Sequence, residues 1–135
     1  MRIHRDRPLS LMMGLAGAAL LGAFALSSCV VAAVGVTAVV ASQEFMDNST
    51  IAYVKVDEDM AWEQTKATMQ RLSLDEIEID ENARAAQANI DGARVTAHVQ
   101  TSGVNQAKIA VGARKWTLYD EDIARSVLER IKEGL

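Results

Sequence analysis

The sequence predicts an α+β domain: an antiparallel sheet of four to five strands in β-α-β-β-β-β-α order, two helices on one face, after an N-terminal export segment. Three observations carry this expectation. Asp91-Gly92 separates two runs of period-two alternation, the strongest two-residue hairpin signal. Two stretches, near 58–72 and 120–133, open on acidic residues and carry apolar residues at spacings of three and four. Finally, no Asp, Glu, Lys or Arg occurs in the 36 residues from Pro8 to Gln43, a gap foreign to a soluble domain in a chain that is 24% charged.

That gap excludes a purely cytosolic globule. The length of 135 residues excludes a multi-domain enzyme, and one cysteine excludes a disulfide scaffold. Arg2, Arg5 and Arg7 give a basic start, Leu9 to Leu26 an apolar middle, and Leu26-Ser27-Ser28-Cys29 a small-residue cut site. This last tetrapeptide resembles the bacterial lipobox. The resemblance implies that residues 1–28 are a lipoprotein signal peptide, that the Cys29 sulfur receives a diacylglycerol, and that its freed amino group is acylated. A thiolate is the nucleophile suited to thioether formation. Each buried lipid methylene contributes about 0.8 kcal/mol, so two or three chains hold where one does not. The alternative is an uncleaved inner-membrane helix, because the apolar run is long enough to span. Both readings keep the arginines inside and send the C-terminal part outward. Val30 in place of Asp after the cysteine implies the outer membrane, facing the periplasm, again by resemblance. Cleavage removes three arginines and one aspartate, leaving 11 basic and 17 acidic residues and a formal charge of −6. Such a balance speaks against a nucleic-acid partner.

Residues 29–50 read as the lipidated cysteine and a Val/Ala/Gly-rich tether, with a loop at Asp47-Asn48-Ser49. Val30 to Ala41 either lies at the membrane or under a partner, or forms a first strand or apolar linker. As a helix it reaches only about 18 Å, too short to span.

The domain is expected over 51–135. Ile51 to Val56 is β-rich, with Ala52, Val54 and Val56 on one face. Asp57-Glu58-Asp59 then caps a helix to Leu72, striped by Trp62, Thr65, Met69 and Leu72. Leu74 to Asp80 alternates, with Ile77 and Ile79 opposed to Glu76, Glu78 and Asp80. Residues 83–90 are alanine-rich, which favours helix. Pairing across Asp91-Gly92 instead puts Ala86, Ala88 and Ile90 with Ala93, Val95 and Ala97 on one face. A second turn at Ser102-Gly103-Val104 pairs Ile109 with Ala97 and Val111 with Val95, on that same face. Two turns agreeing on the inward face outweigh propensity. Asp120-Glu121-Asp122 opens the last helix, whose stripe is Ile123, Val127, Leu128, Ile131 and Leu135.

The pattern resembles an uncharacterised family of small bacterial lipoproteins, a domain of unknown function. The matching features are the lipobox cysteine, the Gly/Ala-rich lead, Tyr53-Val54, Trp62, and Asp91-Gly92 with Val95. Further on come Ile109 to Gly112, Asp120-Glu121, Ser126, Leu128 and Ile131. The resemblance implies an envelope lipoprotein fold without a known activity. Here Ala113 to Tyr119 is longer than the family's usual link and carries Trp116 and Tyr119. The element order also looks like the helix-grip domains of an accessory lipoprotein in outer-membrane β-barrel assembly, a likeness of fold only.

Chemistry-bearing constellations are sparse. His98 is the one histidine after position 28, and a metal centre needs several converging ligands, so no metal site is expected and no cofactor beyond the lipid on Cys29. Ser102 and Ser126 form no triad, the acidic residues read as helix starts and a wet strand face, and Gly112 alone makes no phosphate loop. Aromatics are only 4% of the chain, yet Trp116 and Tyr119 share one loop with Arg114. Trp, Tyr and Arg dominate interaction hot spots. This loop is the candidate partner contact, unless Trp116 and Leu118 fold back to close the core. A second candidate is the open sheet face with Gln87, Asn89, Arg94, Thr96, His98, Gln100 and Lys108, unless that is ordinary solvated alternation. The sequence thus leads to a non-enzymatic, lipid-anchored envelope module that contacts a protein partner. The alternative is a small periplasmic enzyme or ligand-binding protein for cell-wall or lipid fragments. Ionisable groups converging in a pocket favour the alternative; an apolar interior of Trp62, Met69, Ile109, Val127 and Ile131 favours the module.

Overall fold

The computed structural model describes residues 35–135; the signal region with Leu26, Ser27, Ser28 and Cys29 lies outside the described residues. The elements are α1 (Val36–Val40), α2 (Gln43–Asp47), β1 (Thr50–Val54), α3 (Glu58–Leu72), β2 (Glu78–Asp80), β3 (Ala85–Ile90), β4 (Ala93–Gly103), β5 (Gln106–Lys115), β6 (Leu118–Tyr119) and α4 (Glu121–Lys132). All strands are antiparallel in the order β1-β5-β4-β3-β2, and β6 pairs with the far end of β5. The expected β-α-β-β-β-β-α order holds, with β6 as a short addition.

Local chemistry fixes the helix starts. Asp57 accepts the Met60 N–H at 2.7 Å and Asp120 accepts that of Ile123 at 3.1 Å, each satisfying a donor left over in the first turn. Both helices lie on one face of the sheet over a single core. Trp62, Met69, Ile109, Val127 and Ile131 are each 2% exposed or less, so the interior on this side is filled by apolar side chains. Thr65 and Thr68, buried in the same layer, bond to the Ala61 carbonyl and the Gln64 amide respectively. No buried side-chain polar atom among the described residues lacks a partner.

The hairpin at Asp91-Gly92 has the expected register: Ile90 faces Ala93, Ala88 faces Val95 and Ala86 faces Ala97. Both turn residues have positive φ, +51° and +76°, the backbone that twists two strands together correctly. Pairing therefore overrides the helix propensity of the alanines. The second hairpin corrects its expected register by two residues. Ile109 faces Val99 and Val111 faces Ala97, because the turn falls at Val104-Asn105 and a bulge sits between Thr101 and Gly103. A two-residue shift preserves the face, so the inward set is unchanged. The strand expected from Leu74 is also shorter, beginning at Glu78. Ser73 Oγ bonds both the N–H and the carbonyl of Asp75, holding a turn there and leaving Leu74 99% exposed.

The largest correction concerns 36–47, expected as tether and loop. These residues form α1 and α2, which pack on the second face of the sheet. Val36, Val40 and Phe45 are buried there with Ala85 of β3 and Ala110 of β5. That face is consequently open only in part, with Asn89, Arg94 and Gln100 exposed and Thr96 buried, and the folded unit begins before residue 51. Val36 and Val40 stand one helical turn apart and present one small apolar edge.

Candidate functional site

The site grows from β5. Its even-numbered residues Lys108, Ala110, Gly112 and Arg114 face α1 and α2, opposite in phase to the buried Ile109, Val111 and Ala113. After Lys115 the chain turns through Trp116-Thr117 into β6, pairing Lys115 with Leu118 and Arg114 with Tyr119. Trp116 takes φ +60°, a conformation that a bulky side chain rarely adopts, and is 92% exposed. Leu118 is likewise exposed. The possibility that Trp116 and Leu118 close the core is overturned. A two-residue hairpin turn projects the indole from the end of the sheet, and no packing demand accounts for it.

Arg114 and Tyr119 do something different. The Arg114 guanidinium lies over the Tyr119 ring, 5.3 Å from its centroid, and 3.6 Å from the Glu44 carboxylate of α2. The Tyr119 phenol is pushed above its usual range, first by loss of solvent and then by the neighbouring Glu44, with Arg114 acting the other way. This trio ties the hairpin to α2 at one end of a cleft of about 430 Å³ between α1–α2 and the sheet. Val39 and Phe45 supply apolar wall; Gln87, Thr96 and Arg94 supply polar wall. Gln87 Nε2 donates to Thr96 Oγ1 at 3.3 Å across β3 and β4.

Arg94 and Arg114 are direct partners in the β4–β5 register. Two like charges opposite each other on one sheet face repel. Glu44 balances Arg114, whereas Arg94 has no carboxylate within ion-pair distance among the described residues.

Of the residues singled out by sequence, Arg114, Tyr119, Arg94, Gln87 and Thr96 thus converge on the cleft, and Trp116 stands outside it. Sequence reasoning missed Phe45, Glu44 and Gly112. The signal was present: Ser42 precedes Gln43-Glu44 as an N-cap, and its Oγ accepts the Phe45 N–H at 3.1 Å. His98, expected on a solvated surface, is half-buried, and desolvation lowers its pKa, with the Ala83 carbonyl opposing this and Lys108 adding to it. No group of three or more metal-ligating side chains occurs among the described residues. Nor does any helix there have the length and apolarity to cross a membrane.

A separate polar cluster closes the other side of the molecule. Trp62 Nε1 donates to Glu81 Oε2 at 2.6 Å, and Lys66 Nζ lies 2.8 Å from Glu81 Oε1 and 5.2 Å from the Trp62 ring centroid. The cluster pins α3 to the turn before β3, a structural task.

Compared with known proteins, the chain matches no protein-family model and no curated protein.

Proposed function

We propose that this protein is a non-enzymatic cell-envelope lipoprotein, anchored through acyl chains on Cys29, that engages a protein partner with its β5–β6 hairpin. The observation that carries the reading is Trp116: an indole 92% exposed, held at φ +60° on a two-residue turn where stability alone favours Gly or Asn. Strained, exposed aromatics are retained at contact sites, and Trp is the residue most enriched in interface hot spots. The apolar filling between the sheet and α3–α4 supports a module without a substrate cavity on that side. The Leu26-Ser27-Ser28-Cys29 resemblance supports the anchor and, with Val30, the periplasmic face of the outer membrane.

In-cell photocrosslinking from position 116, with intact-mass analysis of the same membrane extract, tests both halves. A discrete crosslinked protein band supports partner engagement, and a mature mass beginning at an acylated Cys29 supports the anchor. An uncrosslinked chain refutes the contact. An unprocessed mass refutes the anchor and leaves an uncleaved helix as the membrane attachment.

The ligand-binding alternative draws on one specific observation, the ionisable groups Arg94, Arg114, Glu44 and Tyr119 around the cleft.

A further inference from the structure

We infer that the cleft between α1–α2 and strands β3–β5 binds a single-chain anionic amphiphile, its head on Arg94 and Arg114 and its hydrocarbon against Val39 and Phe45. The inference goes beyond the proposed partner contact and does not rest on the lipid anchor.

Charge is the first argument. Arg94 and Arg114 are register partners on one sheet face, so their guanidinium groups start from neighbouring backbone positions. Among the described residues, Glu44 is the one carboxylate that faces them. The local balance is one positive charge in excess, on a chain whose formal charge is −4 overall. An incoming phosphate or carboxylate would complete that balance, and the planar arginine fork matches either geometry with paired hydrogen bonds.

Shape is the second. Ligand sites are mostly apolar concavities with a few placed polar groups, commonly from about 300 to 1,000 Å³. At about 430 Å³ this cleft is near the lower bound, suited to one alkyl chain rather than a two-chain lipid. Its positive charges lie on the sheet side, while the covering segment adds Ser42 and Glu44 to the lining. Both arginines extend from β4 and β5, while Val39 and Phe45 come from the covering helices. Arginines on the floor and apolar side chains from the cover, with Glu44 beside them, fit a ligand with a head and a tail. Gln87 and Thr96, already bonded to each other, lie beside Arg94 on that floor and offer further donors to the head.

The test titrates dodecyl phosphate into the isotope-labelled full chain held in phosphatidylcholine nanodiscs, following the Gln87 side-chain amide and the Gly112 backbone amide by NMR. Inorganic phosphate and dodecanol serve as head-only and tail-only probes. Saturable shifts at both positions are expected, with dodecanol and inorganic phosphate each at least tenfold weaker. Arg94→Gln should weaken dodecyl phosphate at least tenfold; Arg94 is exposed and has no ion-pair partner among the described residues, so its loss relieves repulsion rather than breaking the fold. An unchanged Trp62 indole resonance verifies this in the same spectrum. The inference is overturned if dodecyl phosphate gives no saturable shifts. It is equally overturned if Arg94→Gln binds as tightly as the parent, or if either single-feature probe matches dodecyl phosphate.

Discussion

The Phe45 ring lies directly on Gly112: a Cβ at that position would stand 2.9 Å from Phe45 Cε2 and 3.2 Å from Cδ2. The bare Cα of the glycine is what lets α2 settle on the second sheet face. Gly112→Ala should therefore destabilise by about 2 kcal/mol through overpacking. Phe45→Ala should cost about 3 kcal/mol through the lost contact. In the double variant the two should fall well short of additive, because the ring that clashes is already gone. Urea denaturation of the three variants checks this, and additive losses would place the two residues out of contact.

Gly92 offers a contrast. An added Cβ there meets only Lys115 Cε at 3.9 Å, but φ is +76°. The cost of Gly92→Ala should be conformational, about 1 kcal/mol, and Gly92→Asn should recover part of it. Equal losses for Ala and Asn would point to sterics instead.

Trp116→Asn should leave the fold intact and raise stability by about 1 kcal/mol, since Asn tolerates positive φ and the indole is almost wholly in solvent. The same substitution should abolish partner engagement. A thermal melt beside a pull-down separates the two effects, and a loss of stability would reveal packing that the exposure does not show.

Stability should decline with acid over two windows of pH. Burial first, then Lys108, lowers the His98 pKa from 6.5, with the Ala83 carbonyl and Glu58 opposing. The native state thus holds His98 neutral, and stability is full above 6.5 and declines as pH falls toward the lowered value. Further down, hydrogen bonds from Thr37 and the Ala83 N–H lower Asp80, and those from Lys66 and Trp62 lower Glu81. Their contribution is present above the ordinary values of 3.8 and 4.5 and is lost as pH drops through the native ones. Urea midpoints against pH should show His98→Gln removing the first decline and Glu81→Gln shrinking the second.

Cys29→Ala should shift the protein from the membrane pellet to the soluble periplasmic or unprocessed fraction without changing the melting behaviour of the folded domain. Fractionation and mass analysis decide it; retention with unchanged mass would favour a spanning helix.

Much of this was legible in the chain. The two long helices follow from acidic caps and three-four spacing, and the β3–β4 hairpin from Asp91-Gly92 with its alternation. These signals are local: a cap bonds within three residues, and a tight turn sets its own register. The next hairpin slipped by two because its bulge depends on how the facing strands twist, which no local pattern records. Leu74 alternates like a strand residue but lies in a serine-held turn.

Alternation along each strand assigns its residues to a face, and with it the core under α3 and α4. What covers the other face follows from packing between segments far apart in the chain. Val36, Val40 and Phe45 are too few and too small to announce a core element. Their burial depends on Ala85, Ala110 and Gly112, residues 40 to 76 positions further along the chain that leave room for them. The same packing sets Glu44 beside Arg114 and, among the described residues, leaves Arg94 without a carboxylate, because a charge's partner is fixed by proximity in space, which alternation along a strand does not encode.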